Sequence, residues 1–86
     1  MNWQDLRAMH PHNWVLVEAL NATTKSDRRI VKDMALIAVC GGDWQIAWDK
    51  YKDLHKKNRE REYYVLHTDR EILDIGILDT FGRMAS

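Results

Sequence analysis

The segment from residue 44 to residue 58 most constrains the fold, because its apolar side chains recur with the period of an α-helix. At about 100° per residue, these side chains fall within a stripe of roughly 120° and most of the lysines lie outside it. The stripe contains Trp44, Ala47, Trp48, Tyr51, Leu54, His55 and Asn58. Asp43 precedes it as a cap. We predict an amphipathic helix that packs through Trp44, Trp48, Tyr51 and Leu54, with Ile46 exposed.

Three other segments have the composition of β-strands, since they are rich in β-branched and aromatic residues. They span residues 14–22, 29–40 and 62–67. The polar stretch 23–28 has the length of a hairpin loop, so the first two strands are expected to pair antiparallel. The helix then crosses the sheet and returns the third strand beside the first. We predict an α+β fold with a small, three-stranded, mainly antiparallel sheet in the order 2-1-3 and the main helix on one face.

The N-terminal segment, residues 2–9, has the pattern of a short helix. Asn2 is placed to cap it, and Trp3, Leu6 and Met9 fall on one side. The proline at position 11 ends the segment, because the residue before a proline avoids helical backbone angles. We therefore predict two helical turns before the first strand.

The C-terminal tail carries two conflicting patterns. Thr68 and Glu71 match a capping box, which favours a helical turn through Leu73. From residue 73 to residue 77, however, apolar residues alternate with Asp and Gly, which favours a strand. We expect a helical turn followed by extended chain, and the sequence leaves the conformation of residues 72–86 open.

Length and charge limit the classes of function. The 86 residues suffice for a single domain, 1–86, and the 13 basic residues balance 13 acidic ones. This balance argues against strong binding to nucleic acid or an anionic membrane through bulk charge. The sequence has no signal-peptide core or apolar run long enough for a membrane helix. Cys40 is the single cysteine, so no intrachain disulfide forms, and we expect a cytoplasmic protein.

Two sets of residues resemble chemical sites but have simpler structural explanations. His10 and His12, with Asp5 or Cys40, offer metal-ligand atoms, yet an isolated His-Pro-His loop is usually a solvated turn. Cys40 with His55 or His67 offers a thiol and a base, yet a cysteine that closes an apolar strand is usually a small core residue. We therefore predict no catalytic residue, no metal site and no cofactor.

The stretch 50–61 is locally basic, with six Lys and Arg residues against two acidic ones. Together with Tyr63 or Tyr64 it could follow a phosphate backbone and stack on bases. The simpler interpretation is the solvated face of the main helix and the turn after it. Nucleic-acid binding is therefore the alternative function, as a regulator or an antitoxin-like partner.

Three stretches together resemble a group of short, uncharacterised bacterial proteins. They are Trp14-Val-Leu-Val-Glu-Ala19, Ala47-Trp-Asp-Lys-Tyr-Lys-Asp-Leu-His55 and Tyr63-Tyr-Val-Leu-His-Thr-Asp-Arg-Glu71. The resemblance covers most of residues 10–75. It implies a bacterial, cytoplasmic and non-enzymatic protein, and it transfers no catalytic or binding residue.

Alternation along the three strands leaves apolar residues on both faces of the sheet, although the main helix covers only one. The N-terminal helix and the tail residues Ile72, Ile75, Leu78 and Phe81 are expected to cover only part of the second face. An uncovered apolar face usually marks an interaction site. The predicted interface comprises Val15, Val17, Ala19, Val31, Ala35, Ile37, Val39, Tyr64 and Leu66. We therefore predict a non-catalytic interaction or dimerisation domain, whose partner is a second copy or a small protein.

Overall fold

The computed structural model describes residues 1–26, 28–76 and 84–85. Its helices and strands follow one another as α1 (Trp3–Met9), β1 (Trp14–Lys25), β2 (Arg28–Val39), α2 (Trp44–Lys57), β3 (Tyr63–His67), β4 (Asp74–Gly76) and β5 (Met84–Ala85). The tail residues Leu78 and Phe81, which the sequence placed against the second face, lie outside the described residues. Within the described part of the chain, no helix is both long enough and apolar enough to cross a membrane.

The α+β fold and the predicted strand order are confirmed. Strands β2, β1 and β3 lie side by side in the order 2-1-3, and both β2 and β3 run antiparallel to β1. Two short strands extend the sheet, with β4 antiparallel to β2 and β5 parallel to β3. The complete order is β4-β2-β1-β3-β5.

The loop predicted for residues 23–28 is wrong, because the first two strands continue almost to the tip of the hairpin. Thr23 pairs with Ile30 and Thr24 with Arg29. Threonine is β-branched and therefore suits a strand even where the surrounding stretch is polar. Ser26 adopts a left-handed backbone conformation, with φ of 57°, at the turn.

Helix α2 packs on one face of the sheet, largely as its periodicity predicts. Asp43 caps it by accepting a hydrogen bond from the backbone N–H of Gln45, at 3.0 Å. Ala47 and Tyr51 are buried in a core that α2 shares with β1 and β3, and two further α2 side chains are half-buried against it. The sheet contributes Leu16, Tyr63 and Val65 to this core, and the half-buried residues of α2 are Trp48 and Leu54.

The predictions for two residues at the start of α2 have opposite outcomes. Ile46 is 46% exposed, which confirms the prediction for it. Trp44 is 42% exposed, so the prediction that it packs on the sheet is wrong. Helical side chains point back towards the N-terminus of their helix, and Trp44 is the first residue of α2. A side chain at this position has no preceding helical turn beneath it, which accounts for its exposure.

Helix α1 covers the opposite face of the sheet. Asn2 caps it by accepting a hydrogen bond from the Asp5 backbone N–H, at 2.8 Å, as predicted. Trp3 and Leu6 are buried in the second core. That core also contains Val15, Val17, Val31, Met34, Tyr64, Leu66 and Leu73. The predicted two-turn helix is confirmed, and it forms a layer over this face of the sheet. Met9, predicted on the same side as Trp3 and Leu6, is 55% exposed.

The segment after β3 is a turn and extended chain, so the predicted helical turn through Leu73 is wrong. The Thr68 hydroxyl accepts a hydrogen bond from the Asn13 backbone N–H at 2.9 Å, and the Thr68 N–H donates to the Asn13 carbonyl at 2.9 Å. These bonds hold Thr68 against the loop before β1. Helix α1 holds the same segment, since the Trp3 Nε1–H donates to the Arg70 carbonyl at 2.7 Å.

One ion pair joins the chain start to the sheet and gives a test by pH. The Met1 ammonium lies 2.6 Å from Asp33 Oδ1, and its hydrogen bond holds the pKa of that carboxyl below the usual 3.8. A lowered folded-state pKa stabilises the fold above the unfolded value, and this stabilisation is lost as pH falls below about 3.8. We expect Asp33→Asn to cost stability near neutral pH and to match the wild type in strong acid. Urea unfolding of both proteins from pH 7 to pH 2 measures this, and a pH-independent difference would contradict it.

Candidate functional site

Most of the predicted interface is buried inside the chain. Val15, Val17, Val31, Tyr64 and Leu66 all belong to the core beneath α1. Ala19 is half-buried against the same core. For these residues, the expectation of an uncovered face is wrong, because α1 and Leu73 pack over it.

The remaining three predicted residues lie near the end of β2 and do not share one face. Ala38 pairs with Leu16 and Leu36 with Val17, so Ile37 is an extra residue in a β-bulge. The bulge shifts the alternation, which places Leu36 with the α1 core and Ala35 opposite Glu18. Ala35 is half-buried, whereas Ile37 is 41% and Val39 44% exposed.

The outer edge of β2 is covered at one end only. β4 pairs with Arg28, Arg29 and Ile30, and it runs from Ile30 towards Arg28, away from Val39. At Met34, the Met1 backbone takes the place of a strand, since the Met34 N–H donates to the Met1 carbonyl at 2.9 Å. Among the described residues, no strand pairs with the outer edge of residues 35–39. We name this stretch the open edge.

A groove runs beside the open edge, between β2 and α2. It is lined by Ile37, Ala38, Lys50, Asp53 and Leu54. Its volume of about 240 Å³ is smaller than the roughly 300–1,000 Å³ of typical ligand pockets. The groove therefore suits individual side chains of a partner better than a cofactor.

Ile46 belongs to this surface by its position on α2. Residues four and seven positions apart share a helix face, so Ile46 lies in line with Lys50 and Asp53 of the groove. The sequence identified Ile46 only as the apolar residue outside the main stripe. The position of Ile46 outside the main stripe was the one sequence signal for a second apolar surface on α2.

The two histidines considered as metal ligands lie in the loop after α1. His10 caps α1, its backbone N–H donating to the Leu6 carbonyl at 3.0 Å. His12 Nδ1 lies 2.7 Å from Asp69 Oδ1, and both side chains are well exposed. In the described part of the chain, no group of three His, Cys, Asp or Glu residues could hold a metal ion. His10 therefore ends α1, and His12 connects its loop to the turn after β3.

Cys40 lies in the core beneath α2, together with Leu16 and Tyr51. Burial raises the pKa of the Cys40 thiol above its usual 9.0, which lowers the fraction of reactive thiolate. This environment disfavours a nucleophilic role. It matches the structural explanation of a cysteine that closes an apolar strand.

The burial of Cys40 predicts that its thiol reacts slowly in the native protein. We expect a soluble disulfide reagent such as DTNB to react far more slowly with the native protein than with the protein in denaturant, because the native thiol is nearly inaccessible. Absorbance of the released thiolate measures both rates. A native rate equal to the denatured rate would contradict the position of Cys40.

Half of the basic side chains of the stretch 50–61 lie beside carboxylates. Lys57 Nζ is 3.2 Å from Asp53 Oδ2, and Lys52 Nζ is 3.5 Å from Asp49 Oδ1. Arg61 forms a third pair at 3.0 Å, with Glu18 on the neighbouring strand. These pairs reduce the positive charge that the stretch presents to a phosphate backbone.

A polar network that the sequence did not predict lies at the start of β3. Arg29 donates two hydrogen bonds to the Glu62 carboxylate, at 3.0 and 2.8 Å. The buried Tyr64 hydroxyl donates to the same carboxylate. Glu62 raises the pKa of Arg29 through the hydrogen bond. The network satisfies polar atoms around a buried tyrosine and joins β2 to β3, so its role is structural.

Comparison with known proteins identifies no relative. The chain matches no protein-family model, and no curated protein or solved structure is significantly similar to it.

Proposed function

We propose that this protein is a non-catalytic interaction domain, and that the open edge of β2 is where it meets its partner. The observation that carries the proposal is the exposure of Ile37 and Val39 on a strand segment whose outer backbone edge is unpaired among the described residues. An unpaired edge offers backbone donors and acceptors to another strand, and adjacent apolar side chains add burial on pairing.

The composition of the open edge supports this role. Proteins normally protect exposed strand edges with charged residues or proline. From Met34 to Cys40 the chain has neither, since the sequence reads Met-Ala-Leu-Ile-Ala-Val-Cys. Among the described residues, the protective device at this edge is the bulge at Ile37. An edge left this apolar fits a site that a partner covers.

Another unpaired edge in the described part of the chain provides the contrast. β3 pairs with β1 from Trp14 to Glu18, and the Ala19 N–H donates to the Glu62 carbonyl at 2.8 Å. Among the described residues, no strand pairs with this side of residues 20–25. That stretch contains Asn21, Thr23, Thr24 and Lys25, with Leu20 as its one large apolar residue. Such a polar edge is suited to water, in contrast to the apolar open edge of β2.

The buried environment of Cys40 and the small size of the groove support a role without catalysis. The domain acts in a reducing compartment in this proposal, since its single cysteine permits no intrachain disulfide. A bacterial cytoplasm satisfies that requirement and agrees with the resemblance of the sequence. The ion pairs within the stretch 50–61 make a nucleic-acid-associated role the weaker alternative.

Site-specific photo-crosslinking tests the proposal. A photoreactive amino acid replaces Ile37 in one variant and Leu20 in the matched control, and each is irradiated in cells that produce the protein naturally. Leu20 is a good control because it is also an exposed apolar strand residue, at 56% exposure. We expect one adduct of defined mass from position 37, lost when Ile46→Asp adds a charge beside the groove. Equal adducts from both positions, or none from position 37, would refute the proposal.

A further inference from the structure

We infer that the partner at the open edge is a second copy of this chain, which joins β2 to β2 around a two-fold axis near Ile37. The inference rests on the proposed function and adds the identity of the partner. It follows from the backbone edge, the position of α2 and the charges that line the groove.

The edge of a strand can pair with the same edge in a second copy of the chain, provided that the two strands run antiparallel. A two-fold axis perpendicular to the sheet and near Ile37 pairs the open edge with itself, residue 35 opposite residue 39 of the copy. The charged ends of β2 stay outside this junction, since the nearest charged residue is Asp33, which already lies against the Met1 ammonium. The joined sheet is then continuous through both copies.

The same axis places both α2 helices on one side of the joined sheet. α2 packs on β1 and β3, and neighbouring strands lie about 4.8 Å apart, so the two helix axes are separated by roughly 19 Å. Helices about 10 Å across leave a gap of roughly 9 Å between them. This gap is formed by the two grooves, and Ile37 and Ile46 of each copy contribute apolar surface to it.

The groove charges are complementary to themselves under this symmetry. Lys50 and Asp53 line the same groove as Ile37. Two-fold rotation near Ile37 brings Lys50 of each copy opposite Asp53 of the other, which gives two equal pairs of opposite charge. Asp53 already has Lys57 at 3.2 Å, and the second lysine joins it from the partner. A strongly charged partner would find no such match, because the groove carries one charge of each sign and the chain has no net charge.

The size of this contact sets the expected affinity. A five-residue strand edge with the adjacent side chains buries on the order of 1,000 Å² in total, which is typical of weak and transient complexes. We therefore expect a dimer that forms at micromolar concentrations and dissociates on dilution. Its mass is twice the 10.2 kDa of the chain.

Sedimentation equilibrium across a micromolar concentration series tests the inference with two charge variants. Lys50→Glu places two carboxylates opposite each other in each junction, and Asp53→Lys places two lysines there. We expect each variant alone to raise the dissociation constant roughly tenfold. An equal mixture should regain the wild-type value, because each carboxylate of the first variant then faces a lysine of the second. Recovery on mixing also shows that both variants are folded.

Ile37→Lys and the control Leu20→Lys separate this inference from the proposed function. We expect the first to abolish dimerisation and the second to leave it unchanged. A wild-type protein that is monomeric throughout the series refutes the second copy as partner, while crosslinking at position 37 to another protein would still support the interaction domain. A dimer insensitive to Ile37→Lys refutes the open edge as the junction. A dimer that loses stability with Ile37→Lys but ignores the charge variants refutes the two-fold arrangement.

Discussion

Replacing Leu6 by alanine is expected to lower the free energy of unfolding by about 2–5 kcal/mol. Leu6 is fully buried between α1 and the sheet, in contact with the core that contains Val15, Tyr64 and Leu66. Its truncation removes apolar contacts and leaves a cavity, because a two-turn helix has few other side chains that can move into the space. Because a domain of this size has a total stability of roughly 5–10 kcal/mol, the loss is a large fraction of it.

Met9→Ala is the matched control for this prediction. Met9 lies on the same helix but is 55% exposed, so its truncation should change stability by less than about 0.5 kcal/mol. Urea unfolding followed by tryptophan fluorescence measures both variants. Equal effects of the two substitutions would show that α1 does not cover the second face of the sheet.

Tyr51→Ala is expected to have an effect of similar size, about 3–5 kcal/mol, as for other large buried aromatic residues. Tyr51 is buried between α2 and the sheet, and its ring stacks on Trp48 and His55 with centroid distances of 5.1 and 5.5 Å. The substitution removes the central side chain of the helix face. Both neighbours of the stack lose their contact with it.

Trp44→Ala is the control on the same helix. Its effect on stability tests whether Trp44 packs on the sheet, as the periodicity predicts, or is exposed, as in the structure. Helical periodicity alone places Trp44 on the packing stripe beside Tyr51, whereas the structure exposes it. We expect its truncation to cost less than about 1 kcal/mol. Thermal unfolding followed by circular dichroism compares the two, and a Trp44→Ala effect as large as that of Tyr51→Ala would contradict the position of α2.

The elements that the sequence predicted well depend on local signals. The caps at Asn2 and Asp43 and the period of α2 are read within a few neighbouring residues, and the structure confirms them. The order 2-1-3 follows from one tight hairpin and one helical crossover, which leave few alternatives for three strands. Thr68 shows the opposite case, because its capping-box pattern is local but its hydroxyl is occupied by Asn13, 55 residues earlier in the chain.

The candidate site was predicted only in part, for a physical reason. Strict alternation along β2 assigns Met34 and Leu36 to the wrong face, because the bulge at Ile37 and further irregularities near Leu20 and Lys32 shift the register. A bulge depends on how two strands fit together and leaves no distinct mark in one of them. Of the residues predicted for the interface, Ile37 and Val39 are the two that are exposed, and they lie on the open edge. Their contact with a partner stays a prediction.

Intermolecular NOEs in a sample of mixed isotope labelling test the central claim most directly. Equal amounts of labelled and unlabelled protein are combined at a concentration where the dimer predominates, and only contacts between copies are recorded. The open edge predicts NOEs from amide protons of residues 35–39 in labelled copies to aliphatic protons of the same residues in unlabelled copies. Intermolecular NOEs confined to other exposed apolar residues, such as Leu20 and Ile72, would contradict the account, and so would their absence at millimolar concentration.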